Sequence, residues 1–160
     1  MFTAKWIEPG QDLTDALTVR EQVFVREQHF CDPDRDAHDA TARHVVVYQD
    51  DNPTNPGTGT PVATGRIFLL PDNAAKLGRF AVLADYRGRG YGDLVIKMLL
   101  RAGLDAGREK FYITAQLDKV GFYARYGFVH AGETWFMEEH APHVEMAAAA
   151  ERVRFPSQCK

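Results

Sequence analysis

The stretch Leu77-Gly78-Arg79-Phe80-Ala81-Val82-Leu83-Ala84-Asp85-Tyr86-Arg87-Gly88-Arg89-Gly90-Tyr91-Gly92-Asp93-Leu94-Val95 decides how this chain is read. Its apolar first part predicts a strand over 77–84. From Gly90 onward, Leu94, Val95, Met98, Leu99 and Ala102 recur at helical spacing, so a helix opens there and runs toward Gly103. Between the two lies Arg87-Gly88-Arg89-Gly90-Tyr91-Gly92. Glycines let successive backbone N–H groups turn inward into an anion-binding nest, and a helix start adds partial positive charge at the same place. Arg87 and Arg89 raise the local potential further, which suits a pyrophosphate. Glycines also serve tight turns, and it is the strand-loop-helix setting that favours the anion site. The commoner phosphate loops fit poorly: no Lys-Ser/Thr follows the glycines, and the segment lies mid-chain.

Working outward, residues 2–7 predict a strand closed by Pro9-Gly10. A helix follows from Asp12, a cap, to about Gln28, with Leu13, Ala16, Leu17, Val23 and Phe24 on one face. On a wheel of ~100° per residue, Arg20 and Glu27 fall inside that apolar stripe. Inward charges need partners or ligands, so these two either pair with each other or meet a substrate. Residues 31–43, rich in Asp, read as a polar surface loop. Strands are expected at 44–48 and 62–70, with a linker over 51–61 between them. Beyond the central helix come a strand at 111–115, a short helix at 117–126, and strands at 127–137 and 143–149. This order predicts a mixed α/β sheet of about seven strands with helices on its faces.

The chain has 160 residues, 45% hydrophobic and 26% charged, which fits one packed domain over 1–150 with a tail at 151–160. A formal charge of −3 disfavours a dedicated nucleic-acid binder. Cys31 and Cys159 lack metal or disulfide spacing and read as free thiols of a reducing compartment. Residues 1–10 lack the pattern of a signal peptide, and no stretch approaches the ~18 apolar residues of a membrane span. A cytoplasmic protein without a membrane partner is expected. His140 and His143 have no further ligand cluster nearby, so no metal site is expected. Glu138 and Glu139 read as solvated turn charges.

A second signature is Phe122-Tyr123-Ala124-Arg125-Tyr126-Gly127-Phe128, where a helix ends at a glycine and a strand begins. With this segment added to the loop, the sequence resembles the GNAT acyl-CoA-dependent N-acetyltransferases. Arg87, Gly90 and Gly92 match that family's Arg/Gln-x-x-Gly-x-Gly/Ala pattern, residues 77–83 its preceding strand, and Tyr123, Gly127 and Phe128 its Tyr-plus-Gly-Phe signature. The likeness extends to the ElaA-like branch through Arg20, Val23, Phe24, Glu27 and Gln28, through Ala115-Gln116, and through Pro142-His143 with Met146. It covers roughly residues 1–148. Residues 51–60 and the tail match no motif.

The resemblance implies a GNAT fold, with a central, largely antiparallel sheet in which one parallel pair of strands splays apart to bind acetyl-CoA as co-substrate. Backbone groups of Phe80, Ala81 and Val82 would bond the pantetheine and the thioester carbonyl, and Arg87, Gly88, Arg89, Gly90, Tyr91 and Gly92 would hold the pyrophosphate. Gln116 stands where many members place an Asn that contacts the CoA arm. Tyr123 would protonate the leaving thiolate, whose pKa of roughly 8.5 lies below that of a phenol, so contact matters more than acidity. For the general base, Glu27 is the first candidate and His143 the second, since imidazole accepts protons near neutrality. Arg20, Glu27 and His143 would face the acceptor, a primary amine of a small molecule or peptide. Glu27 with Asp32, Asp34, Asp36 and Asp39 would suit a polyamine, although an Asp-rich loop is more often plain solvated surface. Family members often pair through strand edges or helices, which makes a homodimer one expectation. The rival reading is a CoA-binding sensor without turnover, which would not need Tyr123.

Overall fold

The structure, a computed structural model, describes residues 1–31, 34–50, 59–138 and 140–157. The expectations for Asp32, for most of the linker, for Glu139 and for Cys159 therefore lie outside the described residues. One sheet carries β1 (Phe2–Ile7), β2 (Arg43–Gln49), β3 (Thr60–Leu70), β4 (Ala74–Val82), β5 (Lys110–Gln116), β6 (Val129–Glu138) and β7 (Ala141–Ala149), in the order β1-β2-β3-β4-β5-β7-β6. Every pairing is antiparallel except β4 with β5. The mixed, largely antiparallel architecture expected from the sequence is the one found.

Strand alternation divides the central strands between two helical layers. Ala63, Gly65 and Ile67 of β3 face α2 (Tyr91–Asp105), where Val45, Val47, Leu77, Val95, Ile96, Leu99, Phe111 and Ile113 build the main core. Gly65 is required there, because a Cβ would come within 2.6 Å of Val95 Cγ1. Thr64 and Arg66 point to the opposite face, which α1 (Thr14–Arg20) covers, with Ala16 packed against Ile7, Val46 and Tyr48. Leu13, not the expected Asp12, occupies the N-cap of α1; Asp12 sits one residue earlier and closes an Asx turn, accepting from the Thr14 backbone at 2.9 Å and its hydroxyl at 2.6 Å.

The first helix departs from the expected single α-helix. It continues from α1 as a π-helical segment, Glu21–Glu27, closed by Gln28 N–H donating to Val23 O at 2.9 Å. Wider winding turns each residue by less than an α-helix does, so the wheel loses phase. Arg20 is fully buried as predicted, whereas Glu27 swings out of the apolar stripe and is exposed. The expected Arg20–Glu27 pair is not formed. π-Helical turns occur often at functional sites, and this one faces the cleft described below.

The β4–β5 pairing lasts only from Ala74–Lys110 to Leu77–Ile113. Just beyond, β4 shifts register against β3 between Thr64 and Arg66, and Arg79 takes a left-handed φ of 51°. This bulge bends β4 as its contact with β5 ends, opening the fork between them. Further along, a 3-10 turn (Leu117–Lys119) leads into α3 (Val120–Ala124), and Gly127, at φ 99°, passes so close to Arg152 O that a Cβ would lie 2.1 Å away. The tail is tied down here, since Arg154 N–H donates to Tyr126 O at 3.0 Å.

Candidate active site

A cleft of ≈ 1270 Å³ opens at the fork. Every residue expected at the site lines it except Arg20. At one end is the glycine loop. Gly88 and Gly90 adopt φ of 78° and 85°, and a Cβ on Gly88 would meet open space, so backbone conformation rather than crowding calls for glycine there. Gly90 directly precedes α2. Arg89 lies over the Tyr86 ring at 4.9 Å, its guanidinium donating weakly to Asp85 O at 3.3 Å. Tyr91 contributes only backbone to the loop, because its hydroxyl donates to Gln49 Oε1 at 2.5 Å. Lys119 and Arg125 line the cleft as well and were not singled out from the sequence. Their proximity depends on the turn that precedes α3.

Arg87 is more heavily engaged than expected. Its Nη1 and Nη2 each donate to Glu27 at 2.7 Å, and its Nε donates to Val82 O at 3.0 Å. This bidentate pair holds the Glu27 carboxyl below its usual range, chiefly through the hydrogen bonds from Arg87. The Val82 carbonyl therefore points into the fork. By the alternation of an antiparallel strand edge, Phe80 shares that direction, while Ala81 turns back toward its partner Thr64. Of the three backbone positions expected to face the co-substrate, Phe80 and Val82 turn toward the fork.

Two tyrosines of the second signature have different roles. Tyr126 is fully buried and its hydroxyl donates to Asp93, which also meets Lys97 Nζ at 2.8 Å. Tyr123 lines the cleft beside Phe80, ring centroids 5.6 Å apart, and its hydroxyl has no partner among the described residues. Burial, and secondarily the charge of Asp118, raises the Tyr123 phenol above its ordinary value.

At the other end, Gln116 Nε2 donates to Gln28 Oε1 at 3.1 Å, linking the end of β5 to the exit of the first helix. His143 pairs with Gln116 across the strands and lines the cleft. Its Nδ1 lies 2.9 Å from Ala141 O, and since a carbonyl can only accept, Nδ1 carries the hydrogen and Nε2 is the basic nitrogen. A ring of Phe136 stacks on it at 6.0 Å.

Known proteins resemble this chain in sequence and in fold. The model of the acetyltransferase (GNAT) family matches residues 11–128. The chain belongs to the GNAT acetyltransferase family. Among its relatives is the uncharacterised N-acetyltransferase YjcF of Bacillus subtilis, 34% identical over 85% of this chain and 91% of that protein. YyaT of the same organism is 30% identical over 92% and 96%. The crystal structure of Escherichia coli ElaA superposes with a TM-score of 0.79 and 26% identity, covering 92% of this chain and 99% of that one. An acyl-CoA N-acyltransferase from Pseudomonas aeruginosa shares the fold at a TM-score of 0.81, over 93% of this chain and 100% of that one, with 24% identity. As a GNAT member the chain is an acyltransferase whose co-substrate is an acyl-CoA. Among the described residues no group of three or more side chains could hold a metal, and no helix is long and apolar enough to cross a membrane.

The Asp-rich loop and Arg20 are where the sequence expectations of this GNAT chain need correction. Arg20 donates to Asp34 Oδ2 at 2.7 Å and to Asp39 Oδ1 at 2.8 Å, so its guanidinium is spent inside the protein rather than on a substrate. Arg66 bonds Asp36 and Asp39, each at 2.7 Å, and Arg79 meets Asp34 at 3.1 Å and Asp36 at 3.2 Å. Three arginines thus neutralise three aspartates, and the segment read as solvated surface is clamped onto the sheet at the β4 bulge. Asp36 and Asp39 also form a reciprocal capping box on the 3-10 turn Ala37–Ala40. That Asp-x-x-Asp spacing, with an arginine at an inward strand position, is the signal from which this cluster could have been found.

Proposed function

We propose that the chain transfers an acetyl group from acetyl-CoA to a primary amine by direct attack, with Tyr123 as general acid. The observation that carries this is the pairing of Tyr126 with Asp93, which leaves Tyr123 as the signature tyrosine whose hydroxyl is uncommitted and lines the fork. The glycine loop with Arg89, Lys119 and Arg125 suits the pyrophosphate, and the backbone turned inward at Phe80 and Val82 suits the pantetheine and thioester carbonyl. Burial keeps the Tyr123 phenol protonated until the thiolate forms. A thiolate released in the same apolar setting loses solvation too, which raises its own proton affinity.

His143 serves as the base, directly or through one water, because its Nδ1 bond to Ala141 leaves Nε2 basic on a cleft-lining ring. Glu27 is poorly suited to act as the base, because its carboxylate is bound to Arg87 at the anion end and is a weakened proton acceptor. Tyr123→Phe is expected to lower kcat for thiol release with an amine acceptor by about 100-fold while leaving acetyl-CoA affinity within a factor of about two. An unchanged kcat would remove Tyr123 from the reaction. Failure of the native protein to bind acetyl-CoA in a calorimetric titration would overturn the proposal as a whole.

A further inference from the structure

We infer that the acceptor is a monoamine carried on an aromatic or flat apolar body, seated between Phe24 and Phe30 on one side and His143 on the other. The inference rests on the acyl-transfer reading above and adds the substrate class.

Charge is the first argument. A polyamine or aminoglycoside needs several carboxylates free to meet its several ammonium groups. Three of the five carboxylates lining the cleft are already engaged: Asp34 with Arg20 and Arg79, Glu27 with Arg87, and Asp93 with Tyr126 and Lys97. Just behind it, Asp36 is held by Arg66 and Arg79, and Glu145 by Lys76 and Thr114. At the His143 end, Glu138 lines the cleft with no partner among the described residues. Asp118 belongs to the Tyr123 side. Of the two left open only Glu138 stands beside the base, and one carboxylate there matches one ammonium group.

Rings supply the second argument. Phe24 and Phe30 stack at 6.2 Å with planes 5° apart, and both line the cleft while only half-buried. The stack is built by a turn at His29, φ 59°, after which Phe30 N–H donates to Phe24 O at 2.8 Å. A left-handed non-glycine residue is strained, and here the strain folds an aromatic ring back over the cleft instead of into the core. Phe30 also meets His140 edge-on at 5.5 Å, joining the first helix's exit to the β6–β7 turn and closing this end. Apolar rings left open in a concave, largely pre-formed site are what a flat apolar ligand would cover.

The test uses the full chain with 2-phenylethylamine and spermidine, by calorimetric titration with and without CoA and by steady-state thiol release with acetyl-CoA. The expected result is a kcat/KM for 2-phenylethylamine at least about 10-fold above that for spermidine. Phe24→Ala and Phe30→Ala, with melting temperatures checked, should each raise the 2-phenylethylamine KM about 10-fold, leaving acetyl-CoA affinity within about twofold; Phe30→Tyr should restore it. Equal or better use of spermidine by the native protein overturns the inference while the acetyltransferase reading stands, as does an aryl-amine KM unmoved by both alanine variants. If acetyl-CoA neither binds nor turns over, the acyl-transfer reading falls by itself. In that case the titration without CoA still judges the ring seat, and absence of 2-phenylethylamine binding rejects it.

Discussion

The two faces of the sheet are stabilised by different chemistry. Against α2 the contact is apolar, with Val95, Ile96, Leu99 and Leu100 wholly buried over Ile67, Leu77, Phe111 and Ile113. Against α1 and the 34–40 segment, the sheet presents Arg66 and His44, and the fully buried Arg20 stands among Asp34 and Asp39. Apolar packing is non-directional and tolerates repacking, whereas a buried ion cluster holds its parts in one geometry and fails if a member is lost. The rigid but breakable face is the one that builds the wall of the cleft. Arg79, the β4 bulge residue, is held by the same aspartates, so the clamp fixes the fork's shape as well as the loop.

The sharpest break in this comparison is Asp39→Ala. Asp39 accepts from Arg20 Nη1 and Nη2, from Arg66 Nη1 and from the Asp36 backbone, so its removal takes the shared carboxylate from two buried guanidinium groups and leaves them only Asp34 and Asp36. The expected cost is about 3–5 kcal/mol, measured by urea unfolding. A loss under about 1 kcal/mol would show that the cluster is not what holds this face. Acid offers a parallel measurement. Burial by itself would raise the Asp39 carboxyl, but hydrogen bonds and charge from Arg20, then Arg66, outweigh it and hold the group far below its ordinary value of 3.8. The unfolded chain therefore takes up the proton first. This contribution is complete above about pH 4 and is lost progressively as the pH falls below it, toward the folded pKa. His44 adds to the acid loss over a higher range: burial pushes its imidazole below the ordinary value of 6.5, so the unfolded chain takes up that proton first and stability begins to fall as the pH drops below about 6.5.

Leu99→Ala is the matching cut on the other face. Leu99 is wholly buried in the α2 layer, and the expected loss is about 2–5 kcal/mol from transfer and cavity together. Its signature should differ in acid: the stability difference from the native chain stays constant from pH 7 down to pH 4, and the native slope below pH 4 is retained. A Leu99→Ala difference that changed steeply with pH would mean the two faces are energetically coupled.

The same contrast explains what the sequence disclosed. The α2 layer was legible because 3.6-residue and two-residue periodicities each report on burial within a single element, and the glycine loop was legible because strand, loop and helix are contiguous. The cluster was not, since it joins Arg20, Asp34, Asp36, Asp39, Arg66 and Arg79 across four separate segments, and a polar run such as 31–43 looks the same whether solvated or clamped. Glu27 was misplaced for a different reason: an α-helical wheel cannot anticipate a π-helical turn. For the candidate site, Tyr123, His143 and the loop were singled out in the sequence and line the cleft, while Gln28 against Gln116, the Phe24–Phe30 stack and the engagement of Arg87 depend on which segments meet at the fork.

The smallest expected effect on stability tests that last engagement. Glu27 and Arg87 are both substantially exposed, so their pairing should contribute at most about 1 kcal/mol to folding, and Glu27→Gln should leave the urea midpoint nearly unchanged. Its consequence for binding is larger. Both Nη atoms of Arg87 now face a carboxylate, and that charge opposes any phosphate approaching the loop. Neutralising it frees the guanidinium as an anion partner, so acyl-CoA affinity should rise several-fold and its salt dependence should steepen. Unchanged affinity would show that Arg87 acts as scaffold, tying Val82 to the first helix, and that Arg89, Lys119 and Arg125 carry the anion. A rise would separate the two chemistries at the cleft: the cluster behind Asp34 governs whether the wall stands, and the exposed pair in front of it governs how readily the loop receives a phosphate.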